Sequence, residues 1–302
     1  MIQLLLFVVA LGGSTIAAAF DVKTTEIPDK ISYAMIAIAL VVYGAQSVMA
    51  RSYMPILNSC AVGGVLFVFG FLLYYFGQWG GGDAKILAAI GFLLPNTNVF
   101  NSAFPNTMLW FPFPASYLFN VFFIGAIYML LYAFALAARN KKIIHEFKRD
   151  VKATANIIVA ASISLFVVFL FVNWFLMTRF QTPLSTPFPT SLVDNFHLIL
   201  MGTLTPIVLT IGVFLVWRFV RIVENVAFKK KIPVKKLNVG DVLLSSKFWE
   251  GIDEKEMARI RQSNKRYVWI KEGVPFAPAF PLALLFTAYL GDAVLFLLRF
   301  LG

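Results

Sequence analysis

Apolar stretches long enough to cross a bilayer recur from one end of this 302-residue chain to the other, and they leave room for few other folds. As a helix, residues 2–20 rise roughly 28 Å, about the thickness of the hydrocarbon core. Similar runs follow at 31–49, 56–76, 113–138, 153–177, 198–217 and 276–300, with a shorter one at 83–94. A hydrophobic share of 60% against 14% charged residues agrees with them. The expected fold is an all-α polytopic membrane protein with about eight transmembrane helices and a small cytoplasmic α+β subdomain before the last span. Residues 1–221 form the expected transmembrane helical domain, 222–272 the basic cytoplasmic subdomain, and 273–302 the final transmembrane helix. Within 222–272, Val239 to Leu244 reads as a turn and strand, and Asp253 stands where a short helix begins. Ala17-Ala18-Ala19 resembles a signal-peptide cleavage site, but no Lys or Arg precedes the apolar run, so residues 2–20 are read as a retained span.

The formal charge of +11 is explained by topology rather than by nucleic acid. Lys and Arg are retained on the cytoplasmic side of a membrane. With eight spans and an external amino terminus, the loops around 21–30, 77–85, 139–152 and 218–271 are internal, and they hold 23 of the 26 Lys and Arg. A plasma-membrane protein with Asp21 and Asp83 on its cytoplasmic side is the expectation. The stretch Lys229 to Lys236 is suited to anionic lipid headgroups. One cysteine, Cys60, allows no disulfide framework and no thiolate metal cage.

Against that apolar background, Gly80-Gly81-Gly82-Asp83-Ala84-Lys85 puts an acid at the mouth of an apolar helix. Ionisable groups at membrane depth are costly, so such an acid is a functional candidate. The glycines let the backbone turn tightly and let another group approach. Asp21, directly after the first apolar run, is the candidate partner. Two carboxylates held close share one proton. The ionised member draws a proton from water while the neutral one polarises a carbonyl, which amounts to peptide hydrolysis by an aspartic mechanism. That chemistry needs no cofactor and no metal. His145 and His197 do not form a His-Glu-x-x-His pair, Ser14 and Ser162 have no evident base, and the glycine run is not a phosphate loop.

Asp-x-Lys-x-x-x-Ile-Pro-Asp at 21–29, followed by Gly-x-Gly-Asp-x-Lys at 80–85, resembles the membrane aspartic peptidases that process type IV prepilins and archaellin precursors. The archaeal branch is the nearer match, helped by Trp269 to Phe276 leading into the last span. The resemblance implies that Asp21 and Asp83 are the catalytic pair, with Gly80, Gly82, Lys85 and Pro28 as supporting motif residues. It also implies pilin-like or archaellin precursors as partners, cut between a short basic leader and an apolar helix. Residues 100–220 match that family poorly and include two additional spans.

Asp29 and Glu26 are neighbouring carboxylates that compete with Asp21 for the catalytic role. Lys85 reads either as a lipid-surface anchor or as a tuner of the acids. Asp292, roughly 24 Å into the last span, lies too deep to pair with Asp83 and is expected to meet Arg299 or external water. Two rival functions remain at this level. A transporter would line an ion path with Asp21, Asp83 and Asp292. A presenilin-like protease would share Gly-x-Gly-Asp but carry its partner acid within a span.

Overall fold

The structure is a computed structural model that describes residues 2–96, 109–179, 192–246, 251–263 and 265–301. The uncharged connector around 97–108 and most of the Pro/Thr/Ser-rich connector at 181–191 lie outside the described residues. The fold is mostly helical, and this is a multi-pass membrane protein. Six described helices are long and apolar enough to cross a membrane. They are α1 (Ile2–Thr24), α2 (Asp29–Met49), α3 (Met54–Tyr75), α5 (Phe113–Arg139), α6 (Lys141–Arg179) and α7 (Leu192–Val223).

Eight spans are not confirmed: among the described residues the other two apolar runs form shorter helices. Helix α4 (Gly81–Leu93) has 13 residues, because Pro95 disfavours helical geometry for Leu94, which sits at φ −128° and ψ 61°. The last apolar run divides into α9 (Ala279–Leu290) and α10 (Ala293–Leu301), separated by Gly291 at φ +79°. Asp292, buried at this break, accepts a hydrogen bond from the Trp110 backbone N–H. Asn120 closes the break by donating to Thr287 Oγ1 and the Gly291 carbonyl while accepting from the Ala293 N–H. The expected pairing with Arg299 concerns a side chain outside those described.

The chain divides into two compact units. The first comprises residues 1–132 and 228–302, and its core is built around α4. Ile86, Leu87, Ala89, Ile90 and Leu93 are all fully buried, so α4 is apolar all round. It packs chiefly on α3, then on α2 and α1. Gly70 of α3 makes the closest approach possible, since a Cβ there would stand 2.8 Å from the Ala84 Cα. A helix that ends among apolar side chains leaves carbonyls that must still be satisfied. Ser59 of α3 donates to the Phe92 carbonyl at 2.7 Å, and Tyr43 of α2 donates to the Leu93 carbonyl at 2.9 Å.

The subdomain expected before the last span contains a three-stranded antiparallel sheet, β1 (Lys229–Pro233), β2 (Val242–Leu243) and β3 (Tyr267–Lys271), in the order β1-β3-β2. Helix α8 (Glu254–Gln262) starts at Asp253, whose side chain accepts the Glu256 N–H, as expected of a capping residue. Leu237, Ile252 and Ile270 form a small core with Ile232, Leu243, Met257, Ile260 and Val268.

The second unit comprises residues 133–227, in which α6 packs against α7. The basic stretch at 141–152 is helical and continuous with the apolar part of α6. Asn140 breaks it from α5 and caps it by accepting the Lys142 N–H. Arg218 donates from Nε to Asp150 Oδ2 at 2.7 Å, and Phe219 packs between Phe134 and Phe147.

Removing either hydroxyl that caps α4 strands a buried carbonyl. Tyr43→Phe and Ser59→Ala are each expected to destabilise the protein by about 1–3 kcal/mol, read as a lowered Tm in detergent, with the secondary structure of the folded state unchanged. An unchanged Tm in both variants would mean that those carbonyls are satisfied in another way.

Candidate active site

Asp21 does not lie in a loop. Helix α1 runs one turn further than the sequence suggests, to Thr24, and stops where Thr25 takes a left-handed conformation at φ +57° and donates its N–H to the Asp21 carbonyl. Asp21 is 7% exposed on this last turn, and its Oδ2 accepts the backbone N–H of Ala277 at 2.8 Å. Ala277 belongs to the strap that joins β3 to α9. This partner is not legible in the sequence, because a backbone donor leaves no residue-type signature.

Asp83 occupies the first turn of α4, where acids complement the helix dipole. Its Oδ2 accepts the Gly80 N–H at 3.0 Å. The side chain is almost entirely buried, and Oδ1 has no hydrogen-bond partner among the described residues. Burial first, and the nearby charge of Asp21 second, push the Asp83 carboxyl up from an ordinary 3.8 to about 7, against the opposing pull of the Gly80 N–H. The fold therefore brings the two acids within electrostatic reach of one another.

The two motifs also meet sterically. A Cβ on Gly82 would stand 2.8 Å from the Ile27 Cβ, so the second glycine of the turn is a seat for the isoleucine of Ile27-Pro28-Asp29. Pro28 is extended, at φ −62° and ψ 124°, and starts α2 at Asp29. Lys85 is paired with a third acid. Its Nζ binds Asp29 Oδ1 at 2.6 Å and lies 5.9 Å from the centre of the Tyr33 ring. Asp29 is thus engaged with Lys85, while Glu26 is exposed.

Trp79, immediately before the glycine run, is buried among Phe276, Phe280 and Phe122, with ring centroids 5.4–5.7 Å away. It fastens the glycine turn to the strap that holds Asp21. A lone Trp between Gln78 and Gly80 is the sequence signal for this contact. It is easily passed over in a chain rich in aromatics.

Residues 8–134, which contain both acids, match the type IV leader peptidase family. The chain is 22% identical to a prepilin peptidase of Methanothermobacter thermautotrophicus, over 99% of this chain and 97% of that protein. It is 31% identical to the preflagellin peptidase of Methanococcus voltae, over 44% of this chain and 57% of the relative. A preflagellin peptidase of Methanocaldococcus jannaschii is also 31% identical, over 31% of this chain and 39% of that one. The chain therefore spans little more than half, or less, of the two preflagellin peptidases.

The contact between Gly82 and Ile27 predicts a compensable clash. Gly82→Ala is expected to cost about 1–3 kcal/mol in thermal unfolding. Ile27→Ala in the same chain should recover part of that loss. Additive losses in the double variant would rule out the contact.

Proposed function

We propose, from the match of residues 8–134 to the type IV leader peptidase family, that this protein is an aspartic endopeptidase that removes leaders from pilin-like or archaellin precursors at the cytoplasmic face. The proposal rests above all on the buried Asp83, with one carboxyl oxygen free, in electrostatic contact with Asp21.

Desolvation of Asp83 and the charge of Asp21 within electrostatic reach make it costly for both carboxyls to ionise, so below about pH 7 the pair holds one proton. Asp83, the more deeply desolvated, is the proton holder, and its unpartnered Oδ1 is the oxygen free to donate to a substrate carbonyl. Asp21 carries the negative charge, steadied by the Ala277 N–H, and takes a proton from the attacking water. The water oxygen adds to the scissile carbonyl carbon, whose oxygen is protonated by Asp83. Collapse of the tetrahedral intermediate breaks the C–N bond: the proton taken up by Asp21 leaves with the amine, and a hydroxyl proton of the intermediate returns to Asp83 as the carbonyl re-forms, which restores the shared proton.

The Ala277 and Gly80 N–H groups orient the two carboxylates. The scissile segment must be non-helical, because a helix commits its carbonyls to its own hydrogen bonds. Under the eight-span reading, the stretches 139–152 and 218–271, which hold 20 of the 26 Lys and Arg, lie on the same side as Asp21 and Asp83, and this supports a cytoplasmic site. In this reading Gly80, Gly82 and Pro28 shape the site, and Lys85 and Asp29 brace α4 against α2 without touching reacting atoms.

Cleavage of a prepilin-like precursor in membranes tests the proposal. Asp21→Asn and Asp83→Asn are each expected to lower the rate by about 10²–10⁴-fold, whereas Asp29→Asn retains activity. Substantial activity in Asp83→Asn would reject the mechanism.

The raised pKa sets the sign of two pH effects. The rate should fall as pH rises through about 7, when the pair loses its shared proton. Between 3.8 and about 7 the folded chain keeps a proton that the unfolded chain has released, so the cost of the buried Asp83 grows across that window and is complete above it. Asp83→Asn should therefore raise Tm above neutrality and lose that advantage in acid. An equal Tm difference at all pH values would contradict the raised pKa.

A further inference from the structure

The sheet has two unlike faces. In an antiparallel pair, directly opposed residues project on the same side. The register opposes Lys231 to Trp269, Lys229 to Lys271 and Pro233 to Tyr267, which gathers Lys229, Lys231, Tyr267 and Trp269 on one face. The other face carries Ile232, Val268 and Ile270 and is closed by the small core beneath α8. Tyr267 is 55% exposed and Trp269 50% exposed, and the Lys231 ammonium lies 5.1 Å from the centre of the Tyr267 ring. None of the three strands contains an acidic residue, and the exposed Lys235 and Lys236 follow directly on β1. Glu272, just past β3, is neutralised by Lys230, which projects on the opposite face at 2.6 Å.

Amphipathic aromatic rings set among lysines suit the boundary between water and lipid: the rings enter the headgroup layer, and the ammonium groups stay with the phosphates. We propose that this face docks on the anionic phospholipid headgroups of the bilayer that the same chain crosses. Charge decides against a basic leader as the occupant, since the lysines would repel it. The bilayer is always at hand, because residues 272–278 alone join β3 to α9.

Docking has a consequence that rests on the peptidase reading above. The strap that leaves β3 ends at Ala277, whose N–H holds Asp21. A sheet fixed on anionic lipid steadies that strap, so cleavage is faster in anionic than in zwitterionic bilayers.

The full chain in nanodiscs tests both parts, with brominated lipid quenching the fluorescence of Trp269, taken as the difference between the native protein and Trp269→Phe. Quenching of that component is expected in discs containing phosphatidylglycerol, with little in phosphatidylcholine alone and its loss in the Lys229→Gln/Lys231→Gln variant. A Trp269 component that brominated anionic lipid does not quench overturns the docking. Protection of the same component by a soluble acidic peptide, in place of lipid, overturns it in favour of a protein partner. Equal cleavage by the native chain in the two lipids overturns the coupling to Asp21. A chain that cleaves nothing in either lipid rejects the peptidase reading, while the quenching still decides the docking.

Discussion

A helix too short to cross a bilayer must find hydrogen-bonding partners for both of its ends where water is scarce, and α4 is such a helix. Its far end is closed by hydroxyls reaching in from α2 and α3, from Tyr43 and Ser59. Its near end is closed partly by its own acid, since Asp83 accepts the Gly80 N–H. With the apolar sides of α4 fully buried, that carboxyl cannot swing out to water as a surface capping residue can. The arrangement that ends the helix is therefore also the one that desolvates Asp83 and raises its pKa.

The second carboxylate is held by different means. Asp21 rides on the last turn of a long helix, and a backbone N–H from the far end of the chain fixes it in place. The two acids thus stand in unlike surroundings, one deeply buried with a free oxygen and the other tied to the strap at Ala277. Unlike surroundings are what divide one proton unequally between two carboxyls and give each a separate role. Trp79, packed on Phe276, links the two holders, so the glycine turn and the strap form one aromatic-braced frame.

Much of this is legible in the sequence, for identifiable reasons. Apolar runs with a basic bias between them announce a polytopic chain, and the glycine-acid turn together with the earlier Asp-to-Ile-Pro-Asp run identifies the region where carboxylates converge. The Asp253 cap was readable because capping chemistry is local. What stayed hidden depended on distant backbone. The Ala277 N–H carries no residue signature, and Lys229 to Lys231 look like a solvated run until β3 pairs with them. The stop at Leu93 and the break at Gly291 leave six described helices long enough to cross a membrane, short of the eight expected, because apolar composition continues through both while backbone geometry does not.

The central claim is that Asp83 keeps a proton at a pH where an ordinary carboxyl has lost it, under the influence of Asp21. Infrared difference spectra of the carboxyl C=O stretch, taken as native minus Asp83→Asn across a pH titration, measure this directly. A protonated-carboxyl band that persists to about pH 7, disappears above it, and titrates at lower pH in Asp21→Asn is the predicted result. A band lost in the ordinary carboxylate range, or one indifferent to Asp21→Asn, would contradict the account.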